Sequence, residues 1–222
     1  MTYFNEDFLR FLEELAQNNH KKWFDENRKR YERNVKSPFR KFIADMIELI
    51  KPYEPELSIE PKHAAFRINR DIRFAKDKTP YKSHVAANIG KYGTRDKARP
   101  GFYIHFGYDQ AILGGGAYML DTQRLQAIRE IINEQLDTFQ KTIKDSDFVD
   151  YWGSVQGNQH KRIPKEFKSI YDQEPLIANK QFYVFETLAP EIVLEPDLPA
   201  KVMDYYQALR PFNEFLEQAF EE

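Results

Sequence analysis

The stretch H-V-A-A-N-I-G-K-Y-G-T-R-D-K-A-R-P-G-F-Y-I-H-F-G-Y-D-Q-A-I-L, His84 to Leu113, decides the fold class. Val85, Ala87 and Ile89 alternate with Ala86 and Asn88, and Phe102, Ile104 and Phe106 alternate with Tyr103 and His105. A period of two belongs to a half-buried strand, whose successive side chains point to opposite faces. Gly107 to Asp109 predicts a tight turn, followed by a short strand over Gln110 to Leu113. Upstream, Phe66 and Ile68 alternate with Arg67 and Asn69, and a further strand is expected at Phe182 to Phe185. Antiparallel strands with one covered face read this way, so the expectation is a meander.

The flanks change period. Phe4, Phe8, Leu12 and Leu15 recur at helical spacing until Asn18-Asn19, and a second helical stretch from His20 carries Trp23, Phe24 and Tyr31. A third follows Ser37-Pro38 and is stopped by Pro52. Leu125, Ile128, Ile132, Leu136, Phe139 and Ile143 predict one amphipathic helix after Asp121. Residues from Asp145 to Asn179 give mixed signals, and a last helix runs from Pro199 to Phe220 with Pro211 inside it. No repeat or linker divides the chain. The reading is one α+β domain over residues 1–222: an antiparallel β-meander with helices packed on its apolar face.

Composition narrows the function classes. Of 222 residues, 41% are hydrophobic and 15% aromatic, enough to build a core. The formal net charge of -2 argues against a protein coated in basic charge for nucleic acid. Cysteine is absent, which removes disulfides, thiolate catalysis and cysteine-held metals. No apolar run reaches the length of a membrane span, and the opening M-T-Y-F-N-E-D-F lacks a basic segment followed by an apolar one. Cytoplasmic residence without membrane partners is expected.

Against that background one segment stands apart. From Arg67 to His84 the chain reads R-I-N-R-D-I-R-F-A-K-D-K-T-P-Y-K-S-H, setting Arg67, Arg70, Arg73, Lys76, Lys78 and Lys82 against only Asp71 and Asp77. Connections this long between strands are uncommon unless functional. Thr79-Pro80 stiffens it, and Phe74 and Tyr81 are expected to pin it to the core with the cations outward. Arg grips carboxylate or phosphate with two parallel bonds, and Lys adds a compact charge. With Tyr81, His84, Tyr103 and His105 as hydrogen-bonding partners, the run predicts a site for a small phosphate- or carboxylate-bearing ligand. Arg67 is expected on the strand face shared by Tyr103 and His105, opposite Phe66 and Ile68. The competing reading is an internal network in which the arginines pair with Asp71, Asp77 and distant glutamates.

The run R-D-I-R-F-A-K-D-K-T-P-Y-K resembles the signature of domain-of-unknown-function family 2461. N-N-H-K-K-W-F from Asn18, P-G-F-Y-I-H-F from Pro100, G-G-G-A-Y from Gly114 and A-L-R-P-F-N-E-F-L from Ala208 agree in order. The resemblance covers nearly the whole chain and implies a single conserved domain. It carries no activity and no catalytic residues.

Weaker constellations add little. Gly114-Gly115-Gly116 lacks the spacing of a phosphate loop and predicts a turn or bulge, with a second wall of the pocket as the functional alternative. His20, His63, His84, His105 and His160 form no metal-binding pair, so neither metal nor cofactor is expected. Lys91, Arg95, Lys97 and Arg99 around Tyr92 suggest a second function class, a groove for a nucleic-acid strand with aromatic stacking. A third is a protein-interaction domain whose basic loop meets an acidic partner. Whether the protein is an enzyme is left open. Replacing Phe66 or Ile104 by Ala is expected to cost roughly 2–5 kcal/mol if both face the core.

Overall fold

The computed structural model describes residues 2–220. In chain order the helices α1 (Glu6–Gln17), α2 (Lys21–Glu26), α3 (Arg28–Tyr31), α4 (Ser37–Ile50) and α5 (Pro61–Ala64) come first. Strands β1 (His84–Ile89), β2 (Phe102–Gly107) and β3 (Ala111–Ala117) follow. After them lie α6 (Thr122–Glu134), α7 (Leu136–Ile143), α8 (Ser146–Trp152), α9 (Lys168–Tyr171), β4 (Phe182–Leu188) and α10 (Leu198–Glu217). The fold is α+β, and the four antiparallel strands make one sheet in the order β1-β2-β3-β4.

Contacts divide the chain into two compact units. The first takes the residues up to Arg95, with Tyr103–Leu113 and Thr187–Met203. The second takes Asp96–Phe102, Gly114–Glu186 and the residues from Asp204 on.

In the first unit, α1 buries Phe8, Phe11, Leu12 and Leu15, one helical stripe. Phe4, Phe39 and Phe42 close around Phe106 of β2, with ring centroids 5.7, 6.0 and 5.4 Å from it. Aromatic edges and faces at such distances pack better than parallel stacks, and they seal the apolar face of β2 together with the fully buried Ile104. A π-helical turn, Glu32–Lys36, joins α3 to α4. Just before it, Arg30 bridges Asp7 at 2.7 Å and Glu14 at 2.5 Å, tying the turn to α1.

In the second unit Phe102 meets Tyr206 of α10 edge-on at 5.7 Å. The glycine run, read from the sequence as a turn or bulge, continues β3. At Gly116, with φ +97, a side-chain carbon would lie 2.2 Å from the Phe182 carbonyl oxygen. Only glycine admits that backbone and that approach of β4. The predicted long amphipathic helix is broken at Gln135 into α6 and α7.

The Phe66–Asn69 strand also differs. Ala65 and Asn69 make isolated antiparallel bridges to Ala87 and Tyr81, with no continuous strand between them.

Candidate functional site

The basic segment is a finger. Backbone bonds Phe66 N to Ala86 O (2.8 Å), Lys82 N to Ile68 O (2.8 Å) and Arg70 N to Pro80 O (2.9 Å) pair its two arms. Its root is Tyr81, buried and stacked on Phe24 of α2 at 4.1 Å and 16°. Asn19, between α1 and α2, grips the same residue twice: its Nδ2 donates to Tyr81 O at 2.9 Å and its Oδ1 accepts from Tyr81 N at 3.0 Å. A carboxamide mirrors the peptide edge, so it pairs with the edge of the arm that faces away from the other arm.

At the tip the cations do not converge. Arg73 binds Asp71 with two prongs, Nε to Oδ1 at 3.0 Å and Nη2 to Oδ2 at 2.7 Å. Arg70 binds Asp77 and the Thr79 hydroxyl, and Asp77 also accepts from Thr79 N at 2.9 Å. Lys78 donates to Ile72 O at 2.9 Å. The Arg73 guanidinium holds the Asp71 carboxyl down at about 2, and the Thr79 backbone N–H, with Arg70, does the same for Asp77. Each guanidinium is neutralised within its own stretch of loop. Lys76 and Arg67 are exposed, with no hydrogen bond or ion pair among the described residues.

Phe74 corrects the expectation that it anchors the loop: it is 96% exposed, with Arg73 6.0 Å above its ring. Tyr81 alone of the two is the anchor.

Below the finger, four of the predicted residues lie together on one sheet face. His84 of β1 stacks on His105 of β2, ring centroids 3.9 Å apart and 19° from parallel. The Tyr103 hydroxyl is 3.3 Å from His105 Nδ1. Lys82 sits 5.1 Å from the centroid of Phe66, which meets Tyr103 edge-on at 6.3 Å. Phe66, not Arg67, therefore joins Tyr103, and it is half-buried rather than a core residue beside Ile68.

Burial sets the protonation of this face. It lowers His84 to about 3, helped by His105 and the Lys82 charge, and lowers His105 to about 4 against the pull of Asp109. Burial also lifts Tyr103 to about 12. Both imidazoles are thus neutral at neutral pH, beside an ammonium. The His84 imidazole makes no hydrogen bond among the described residues. Asp109 was not anticipated from the sequence. A side-chain carbon at Gly107 would sit 2.9 Å from Asp109 Oδ1 and 3.4 Å from His105 Nε2, so glycine leaves the two a shared space.

Lys91 approaches Glu56 at 3.9 Å, and Arg99 is held by Glu217 and by the Phe220 carbonyl at 2.7 Å. Among the described residues no group of three or more His, Cys, Asp or Glu is placed to hold a metal ion, and no helix is long and apolar enough to cross a membrane. A polar cleft of about 810 Å³ opens elsewhere, between Asn5, Asp7, Arg10, Glu14, Arg30 and Arg33.

A family model described as a conserved hypothetical protein, DUF2461, matches residues 7–215. No curated protein and no solved structure matches the chain.

Proposed function

We propose that this protein, which belongs to the DUF2461 family of conserved hypothetical proteins, binds a small phosphate- or carboxylate-bearing ligand on the sheet face of Lys82, His84, Tyr103 and His105. The observation that carries the reading is His84. Its imidazole is half-buried, neutral and stacked, yet neither ring nitrogen bonds to the protein among the described residues. Ring nitrogens left free in this way can bond an incoming ligand. Lys82 supplies the charge, His84 an N–H donor and Tyr103 a hydroxyl. Imidazoles held as low as about 3 and 4 are weak bases at neutral pH, which favours binding over proton transfer as their role.

The family match runs across both compact units, which supports treating residues 1–222 as one functional domain. Cytoplasmic residence belongs to the same reading.

Following the His84 and His105 ring signals by NMR during titration with inorganic phosphate, nucleotides and succinate tests the site. Both should move saturably with at least one of them. Lys82→Ala should weaken that response at least about tenfold while leaving the melting temperature within about 2 °C. Unmoved ring signals with every probe would sink the proposal.

A second reading rests on Phe74. An exposed aromatic on a root-anchored finger suits an apolar pocket on a partner protein better than a phosphate chain, because Asp71 and Asp77 sit beside the arginines. A photo-crosslinking residue at position 74 would identify the partner, and Phe74→Ala should then weaken the purified complex at least about tenfold. A short single-stranded RNA that binds tightly at low salt would overturn this reading in favour of nucleic acid.

A further inference from the structure

The second unit holds a cation of a different kind. Arg129 on α6 is 4% exposed. Its Nε donates to Ile177 O at 2.9 Å and its Nη2 to Asn179 O at 3.1 Å, while Nη1 has no hydrogen bond among the described residues. No carboxylate pairs with it among the described residues: Glu166 acts on it only through space. Burying a cation without a counter-ion is expensive, and buried guanidiniums are ordinarily paired. Burial accordingly pulls this guanidinium below its ordinary range.

Beside it lies a second unexplained group. Asn179 is 1% exposed, and both Nδ2 and Oδ1 of its amide lack a partner among the described residues. The amide is held in place by its backbone. Asn179 ends the 3-10 turn Pro175–Ala178 and bridges Gln159, while His160 N donates to Ala178 O and Lys180 N to Asn158 O, both at 2.8 Å. Gly157, at φ +153, permits this closeness: a side-chain carbon there would lie 2.2 Å from Gln181 O and 3.0 Å from Asn179 Nδ2. His160 feels the charges of both Arg129 and Lys180, which therefore share one field.

We infer that Arg129 and the Asn179 amide, flanked by Lys180 and His160, form a binding site for a small oxyanion, a carboxylate or a phosphate group. The anion supplies the charge Arg129 lacks, its oxygens take N–H bonds from Nη1 and from Asn179 Nδ2, and Lys180 raises the local positive potential. The inference is independent of the sheet face of the first unit. The rival account is an arginine that only caps the Pro175–Ala178 turn beside a hydrated amide.

Calorimetry and thermal shift on the full chain separate the two, using potassium phosphate, sodium succinate and sodium chloride at matched ionic strength. Saturable binding of phosphate or succinate, but not chloride, is expected, and whichever binds identifies the group. The Asn179 side-chain NH2 resonance should move with the same midpoint. Lys180→Gln, at an exposed position, should weaken binding at least about fivefold, and Asn179→Leu should abolish it. Lys82→Ala should leave it unchanged, which keeps failure here distinct from failure at the sheet face. Arg129→Lys, which keeps the charge but loses the fork, should weaken binding with the protein still folded. Absence of saturable binding, or equal binding in parent, Lys180→Gln and Asn179→Leu, overturns the inference. So does a more stable Asn179→Leu with no anion response in the parent, because the amide would then hold only water.

Discussion

The tip of the basic finger and the sheet face below it come from the same run of sequence, yet they handle charge in opposite ways. At the tip, Arg70 and Arg73 each find an aspartate within seven residues, and the pairs are open to water. On the sheet face, His84, His105 and Tyr103 are buried or half-buried, and no carboxylate bonds to the two imidazoles among the described residues. Exposed pairs are screened and nearly self-sufficient, whereas buried polar groups keep strong fields because little water answers them. Local density of cations is therefore a poor guide to where a ligand would gain most.

Tyr81 joins the two regions, and its loss should have the largest effect. Tyr81→Ala removes a buried ring from its stack on Phe24 and should cost about 3–5 kcal/mol in urea unfolding. Phe74→Ala, seven residues earlier, should stay within about 0.5 kcal/mol. Equal losses would mean that the finger folds down onto the protein in solution and that the comparison of tip with root is wrong.

Next in size is the pH response of the sheet face. His84 and His105 titrate lower in the folded protein than the ordinary 6.5, so the unfolded chain binds more protons between that value and about 3 to 4. Stability from this face is complete above pH 6.5 and is lost as pH falls toward 4. For the more buried His105 the loss is at most on the order of 3 kcal/mol. Replacing both histidines by Gln should flatten the slope between pH 6.5 and 4. An unchanged slope would mean that the imidazoles are hydrated and ordinary, which removes the contrast with the tip.

The fold was legible where periodicity is strong. Phe102, Ile104 and Phe106 announced β2 because their alternate neighbours are a tyrosine and a histidine. Gly114 to Gly116 hid the rest of β3, since a strand made of glycines has no side-chain period to read and its reason lies in Phe182. Phe66 was misassigned because its arm pairs only at Ala65 and Asn69, so alternation did not fix its face. The aspartate pairing at the tip stood open as one of two readings. Asn19 was invisible as a strand partner because the residue it grips lies 62 positions away.

Phe66 supplies a smaller and sharper test. Half-buried between Lys82 and Tyr103, it should lose only about 1–2 kcal/mol on replacement by Ala, against roughly 2–5 for the fully buried Ile104. A Phe66 loss as large as that at Ile104 would restore it to the core and detach it from the sheet face.

The smallest effect is the most discriminating. Arg73→Ala breaks a two-pronged pair with Asp71, yet both side chains stand in water, so folding should change by less than about 0.5 kcal/mol. What should change is the carboxyl. Released from Arg73, Asp71 should titrate upward from about 2 toward the ordinary carboxylate range, visible in its side-chain carbon shift. If Arg73 were instead committed to an external anion, Asp71 would already titrate normally in the parent. An Asp71 that stays low in Arg73→Ala would point to Arg67, whose charge also acts on it. The tip would then share its cations after all, and the difference from the sheet face would be one of degree.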